Sequence, residues 1–191
     1  MNVSEELPTW NLGDLYSSPE DANLEADLAV ALNESDAFKK KYEGQLSKIS
    51  GSELAVAIAE YESILDKLYK VMSYAQLLLA SDMGNADVGR FYQTLQERIT
   101  DITAITLFFS LELNQIDDNR LASQLEDRAL QAFKPWIDET RVLRPHQLPD
   151  ELEKLLGDTK WKYESDRVEN QATPKHCATP ITTKKKSVNK R

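Results

Sequence analysis

The stretch that decides the fold is SELAVAIAEYESILDKLYKVMSYAQLLL, residues 52–79. Its apolar residues recur in alternating steps of four and three without a break, at Leu54, Ile58, Tyr61, Leu65, Leu68, Met72, Ala75 and Leu79. This spacing places them along one side of an α-helix, in the manner of helices that pack side by side. We therefore predict a long second helix that opens at Ser52, with a turn over residues 81–85.

A similar apolar rhythm precedes this stretch. Ser18 can cap a helix, Pro19 suits the first helical position, and the following acids complement the positive helix end. The apolar positions that follow, with Ser35 as the one polar member, are Leu24, Leu28, Ala31, Phe38, Tyr42 and Ile49. We predict a first long helix from Ser18 that ends at Gly51.

A third long helix is predicted from about Ala86 to Gln115. Its main stripe consists of Val88, Tyr92, Leu95, Ile99, Ile102, Thr106, Phe109 and Leu113. Four more apolar residues lie off that stripe, namely Ile105, Leu107, Phe108 and Leu111. A helix that is apolar on several sides is buried on several sides. We expect something beyond its hairpin partner to cover it.

Shorter elements follow the third helix. Residues 117–119 are predicted to form a turn and cap, and a helix is expected from Arg120 to Ala132. Residues 133–137 are interpreted as a packed aromatic corner, residues 144–149 as a turn, and a last short helix ends near Gly157. The predicted fold is all-α, with three long antiparallel, coiled-coil-like helices followed by shorter ones. We divide it into an extended segment 1–17, a helical domain 18–157 and a basic tail 158–191, which is expected to be disordered.

The charge is unevenly spread along the 191 residues, which carry a formal net charge of -9. Residues 1–157 hold 14 basic and 28 acidic residues, whereas residues 158–191 hold nine basic and four acidic ones. The acidic body would repel nucleic acid, because such binding depends on Lys and Arg. The Lys184–Lys186 run is only a weak signal for an anionic partner. No apolar run approaches the roughly 20 residues of a membrane span, and acids occupy the start, so we expect a cytoplasmic protein without a membrane partner.

Residues for catalysis are sparse. The two histidines, His146 and His176, are 30 positions apart, so neither can form the one-turn pair of a helical zinc site. Cys177 lies in the predicted tail, without a folded pocket or an orienting base. We interpret His146 as a turn residue and His176-Cys177 as adventitious at most. The sequence alone names no catalytic, cofactor-binding or metal-binding residue.

Several sequence segments, in the same order along the chain, resemble segments of the oligoendopeptidase F family. This family belongs with the thimet-oligopeptidase-like zinc metallopeptidases. The segments are Leu7-Pro8-Thr9-Trp10-Asn11-Leu12-Gly13-Asp14-Leu15-Tyr16, Ser73-Tyr74-Ala75, Leu77-Leu78, Arg90-Phe91-Tyr92-Gln93, Phe108-Phe109-Ser110-Leu111-Glu112-Leu113, Pro135-Trp136, Arg144-Pro145-His146-Gln147-Leu148 and Glu151-Leu152-Glu153-Lys154-Leu155-Leu156. No single segment decides the matter, but together they run through residues 7–157. The similarity concerns the family's N-terminal helical region only.

The resemblance implies a role as well as a fold. Family members are cytosolic zinc peptidases that cut short peptides in a deep internal channel, and their His-Glu-x-x-His zinc helix lies far downstream of the matched region. The N-terminal helices form a wall or lid of that channel. We therefore expect a non-catalytic N-terminal fragment without a cofactor of its own, whose partner is the catalytic half of the same peptidase. This half would also cover the extra apolar surface of the third helix.

Two questions stay open at this point. The change of composition at about Asp158 is interpreted as a frameshift or premature stop, with a separately encoded catalytic half or a genuine short protein as alternatives. The alternative function is a stand-alone helical protein-interaction module, which would use its apolar seams to bind a partner.

Overall fold

The computed structural model describes residues 11–142, together with Arg144 and Leu152. Residues 11–142 contain six helices and no strand. The three long ones are α1 (Ala22–Tyr42), α2 (Gly51–Ser81) and α3 (Ala86–Gln115). The three short ones are α4 (Asp118–Gln124), α5 (Arg128–Gln131) and α6 (Lys134–Val142). The all-α prediction with three long helices is confirmed.

Helix α1 is shorter than the sequence suggested at both ends. It begins at Ala22, where the side chain of Asp21 rather than Ser18 caps it by accepting from the Asn23 amide. It ends at Tyr42, and Gly44 then adopts a φ of 73°, a left-handed conformation that suits glycine. The predicted end at Gly51 was therefore wrong. The seam itself is confirmed, because its members from Leu24 to Tyr42, including Ser35, are buried.

Helix α2 begins with a capping box. Ser50 accepts a hydrogen bond from the Glu53 amide, and the Glu53 carboxylate accepts from the Ser50 amide in return. The residues of the predicted seam are buried or half-buried. A second buried set lies beside that seam and consists of Ala55, Ala57, Ile64, Val71 and Tyr74. Helix α2 therefore packs on more than one neighbour, and α1, α3, α4 and α5 all contact it.

The three long helices pack pairwise, so that each contacts both others. An aromatic cluster fills the space among them. The Phe38 ring of α1 lies 5.1 Å from that of Phe109 and 5.7 Å from that of Phe108, both in α3. The Tyr61 ring of α2 lies 5.0 Å from Phe109. The space between the three long helices is thus filled by side chains of this chain.

This packing accounts for part of the extra apolar surface of α3. Phe108 and Leu111 are buried, whereas Ile105 and Leu107 are half-buried. Helix α3 packs mainly against α1, α2 and α6. Covering of Ile105 and Leu107 by another part of a larger protein stays a prediction.

The short helices depart from the sequence prediction in two ways. The helix expected from Arg120 to Ala132 is split, because the Asp127 side chain accepts from the Ala129 amide and starts α5 anew. The expected corner at residues 133–137 is instead the start of α6. Pro135 is tolerated there because the amides of the first helical turn have no partner within the helix.

Helix α4 reaches back to the turn between α1 and α2. A Cβ atom on Gly51 would lie 2.1 Å from the Gln124 carbonyl oxygen, so the backbones meet where α2 begins. The predicted turn over residues 144–149, the last short helix and the tail 158–191 lie outside the described residues, apart from Arg144 and Leu152. No helix within the described part of the chain has the length and apolarity to cross a membrane.

Candidate functional site

The described residues offer no ready site for metal chemistry. Among residues 11–142, 144 and 152, no three His, Cys, Asp or Glu side chains lie together in a way that could hold a metal ion. The residues weighed from the sequence, His146, His176 and Cys177, lie outside this part of the chain. The features that remain for function are surfaces and grooves.

Three ion pairs cross from α1 to α2 on one face of the bundle. The Nζ–carboxylate distances are 2.9 Å for Lys70–Asp27, 2.9 Å for Lys67–Glu34 and 2.7 Å for Lys41–Glu60. The α1 members lie at positions 27, 34 and 41, which are seven residues apart and therefore on one side of the helix. We call these three pairs the charge ladder.

A surface groove lies along the same boundary between α1 and α2. It consists of two adjoining depressions of about 330 and 380 Å³, and Lys41 lines both. The first also has Phe38 and Ile64 in its wall, and the second has Tyr42 and Val56. The Val56 side chain is 52% exposed. The groove combines apolar walls with charged rims, so it can offer packing and ionic contacts to an occupant.

Asp27 links the charge ladder to the segment that precedes α1. It accepts a 2.7 Å hydrogen bond from the Tyr16 hydroxyl and a 2.9 Å bond from Lys70, both on Oδ2. The bond from Tyr16 and then that from Lys70 lower the pKa of the Asp27 carboxyl. Burial and the bond to Asp27 raise the pKa of the Tyr16 hydroxyl. Asp27 therefore stays ionised and Tyr16 neutral at neutral pH, which suits a structural tie.

Helix α1 is also tied on its other side. The Arg98 guanidinium of α3 makes two parallel hydrogen bonds to the Glu25 carboxylate, at 2.7 and 2.8 Å. Their geometry is the two-pronged pairing that arginine favours. The hydrogen bond to Arg98 lowers the pKa of the Glu25 carboxyl. The charged groups on both sides of α1 thus hold it against α2 and α3.

Comparison with known proteins shows which proteins this helical region resembles. A family model described as Oligopeptidase F matches residues 112–160. Oligopeptidase PepF of Bacillus subtilis (strain 168) is 28% identical over 155 residues, which are 78% of this chain and 22% of that protein. An oligoendopeptidase F homolog of Borreliella burgdorferi is 24% identical over 156 residues, 82% of this chain and 26% of that protein. This helical region is similar to the N-terminal part of oligoendopeptidase F proteins.

The oligoendopeptidase F relationship concerns a part of the curated relatives only. The chain spans about a quarter of the length of the two relatives it matches. No solved structure matches it. The described residues do not fit the zinc that the family resemblance implies, since they bring no group of three metal-binding side chains together.

Sequence reasoning named no substrate-facing residue, and it missed the groove and the charge ladder of this helical region. One signal was present. Charges recur every seven residues at Asp27, Glu34 and Lys41, beside the apolar seam. Such charges beside a seam commonly pair with a neighbouring helix. Only the structure identifies their partners, because a charge pattern does not say which residue of α2 lies opposite each one.

Proposed function

We propose that this helical region is a non-catalytic wall or lid of the peptide channel in an oligoendopeptidase F-like peptidase, which in its intact form hydrolyses short peptides. Its role would be to admit substrates by shape and not to cleave them. The observation that supports this best is that the related region is a continuous helical bundle in which the described residues assemble no metal-binding group.

The shape of the bundle suits such a wall. Helix α2 has 31 residues and α3 has 30, which at 1.5 Å per residue gives each a length of about 45 Å. Ile105 and Leu107 are half-buried apolar residues that project from different sides of α3. The apolar surface that each leaves exposed suits contact with another part of a larger protein. The catalytic part of the same peptidase is the partner we propose.

A first experiment tests the absence of catalysis. The purified chain is incubated with a quenched fluorescent peptide and Zn²⁺, with and without a chelator. We expect no chelator-sensitive cleavage. Robust cleavage that the chelator abolishes would refute a non-catalytic role.

A second experiment tests the role in admission. The part of the Bacillus subtilis relative that follows its aligned region is assayed alone and with this chain, on a short peptide and on a denatured full-length protein. We expect the added chain to suppress cleavage of the long substrate while cleavage of the short peptide persists. The control is Ile58→Asp, which places a charge at a fully buried position and should unfold the chain. Identical cleavage of both substrates with the chain and with its control would contradict the lid role.

If the chain shows no effect yet melts cooperatively and stays monodisperse, it behaves as an independent helical module. An interaction function would then replace the channel role.

A further inference from the structure

The two turns that join the long helices are supported in opposite ways. The turn between α1 and α2, residues 43–50, is called here the anchored turn. The turn between α2 and α3, residues 82–85, is called the open turn. They lie at opposite ends of the bundle, because successive helices are antiparallel.

The anchored turn is held by side chains that are distant in sequence. Arg120 donates to the carbonyl oxygens of residues 47, 48 and 49, at 2.7, 3.1 and 2.8 Å. Gln124 donates to those of residues 46 and 49, at 3.0 and 2.8 Å. The Gly44 amide donates to the Glu112 carboxylate at 2.6 Å. In addition, Leu46 is fully buried. This turn can open only if its hydrogen bonds to Glu112 of α3 and to Arg120 and Gln124 of α4 break.

The open turn has local support only. Its hydrogen bonds include Asp82 amide to Leu78 carbonyl at 3.2 Å, Asn85 amide to Asp82 carbonyl at 3.2 Å, and Asn85 Nδ2 to the Asp82 carboxylate at 3.0 Å. Within the described part of the chain, none reaches beyond residues 78–90.

The surroundings of the open turn are correspondingly empty. Met83 is 77% exposed. A Cβ atom added at Gly84 or Gly89 would meet nothing within 4 Å. Gly89 also weakens the first turns of α3, because glycine loses more backbone entropy in a helix than alanine does.

We propose that the bundle opens from one end, with the open turn and the adjoining ends of α2 and α3 as the moving edge and the anchored turn as the fixed base. Local openings are most frequent where few long-range contacts must break. They would expose half-buried apolar side chains at the ends of the two helices, among them Leu78 and Phe91. If the region forms a channel wall, as proposed above, this edge is the part of the wall that would move when a substrate enters.

Hydrogen exchange of the whole chain, measured residue by residue, tests this behaviour. The amides of Ile49 and Asn85 are well matched, since each makes one hydrogen bond of 3.2 Å within its own turn. After correction for intrinsic rates, we expect Asn85 to exchange at least about tenfold faster, with little dependence on low denaturant concentrations. Equal rates, or a denaturant dependence for Asn85 that equals that of core amides, would overturn the proposal.

Two variants sharpen the test. Arg120→Ala should accelerate exchange at Gly44 and Ile49 and leave Asn85 unchanged. Gly89→Ala should slow exchange at Asn85 a few-fold and leave Ile49 unchanged. An equal effect of Gly89→Ala on both turns would overturn the proposal even if Arg120→Ala fails to fold. Such a result would leave the channel role itself untouched, because that role is tested by cleavage.

Discussion

Lys41 of α1 and Glu60 of α2 pair at 2.7 Å with a polarity opposite to that of Glu34 and Lys67, which pair one heptad earlier along α1 at 2.9 Å. Helix α1 contributes the cation in the first pair and the anion in the second. If α1 slid by seven residues, the apolar seam would still match, but Lys41 would face Lys67 or Glu34 would face Glu60. Like charges placed opposite each other are repulsive. The reversed polarity therefore disfavours the shifted registers that the seam alone would permit.

The charge ladder predicts a rescue by exchange. Lys41→Glu should lower the free energy of unfolding by roughly 0.5 kcal/mol, since both side chains are partly exposed and such pairs contribute little. The double variant Lys41→Glu with Glu60→Lys should recover most of this loss. Urea denaturation of the single and double variants measures the coupling. A double variant less stable than Lys41→Glu alone would speak against direct pairing.

Ser35 predicts a stabilising substitution. Its side chain is fully buried in the α1 seam, and its hydroxyl has no hydrogen-bond partner. Ser35→Ala should raise the free energy of unfolding by about 1–2 kcal/mol, because it removes an unpaired polar group and alanine favours helices. The matched control is Ser73→Ala on the exposed face of α2, which reports helix propensity alone. If the two variants gain equally in thermal melts, burial of the Ser35 hydroxyl costs nothing.

Arg120 predicts a loss that lysine cannot repair. Its guanidinium donates to three backbone carbonyls of the anchored turn. Arg120→Ala should lower the free energy of unfolding by roughly 1.5–3 kcal/mol, since three backbone carbonyls, of which that of Ile49 is partly buried, lose a charged donor. Arg120→Lys should recover little, because an ammonium group cannot reproduce the planar fork.

The control for Arg120 is Arg128→Ala. Arg128 is exposed, and its side chain forms no hydrogen bond or ion pair with the described residues. Chemical denaturation should leave this variant within about 0.5 kcal/mol of the parent chain. A lysine variant as stable as the parent would show that charge alone, rather than fork geometry, holds the turn.

Asp21 predicts a dependence of stability on acid. Hydrogen bonds from the Ser17 and Asn23 amides lower the pKa of this carboxyl to about 2. A depressed folded-state pKa contributes stability above the unfolded-state value, and this is lost as pH falls from about 4 to about 2. Asp21→Asn keeps the helix cap but removes the titration. Thermal melts across this range should show a shallower loss for Asp21→Asn than for the parent.

The control for Asp21 is Asp14→Asn, which removes an exposed carboxylate with no hydrogen bond to the described residues. Its melting temperatures over the same pH range give the baseline with which those of Asp21→Asn are compared. An identical slope in Asp21→Asn and the parent chain would mean that the cap does not depend on the charge of Asp21.

The sequence predicted well what local periodicity controls. The long helices and the buried members of their seams, such as Leu28, Ile58 and Phe109, follow from spacing alone. Prediction from the sequence failed where contacts with residues distant along the chain determine the local structure. Helix α1 stops at Tyr42 and not at Gly51, because carbonyls of residues 46–49 bond to Arg120 and Gln124 instead of continuing a helix. The sequence of residues 43–50 alone does not indicate that their carbonyl groups accept hydrogen bonds from donors more than 70 positions away.

The same limit applies to the candidate site. The spacing of Asp27, Glu34 and Lys41 follows from the sequence, but their partners on α2 depend on how the helices are set against each other. The groove beside them depends on the same arrangement, since its walls come from both helices. The proposed role rests on family resemblance, whereas the surfaces of the region depend on packing.

Gly51 carries a consequence for how this chain can change by mutation. Alanine is ordinarily welcome inside a helix, but at position 51 its methyl group would have to displace the Gln124 backbone. In a scan of all single substitutions, position 51 should accept no residue larger than glycine, while the exposed neighbour Ser52 should accept many. Substitutions at position 51 would therefore be limited by the size of the side chain and not by its polarity. A glycine aligned with it would identify distant chains that keep α4 docked against the start of α2.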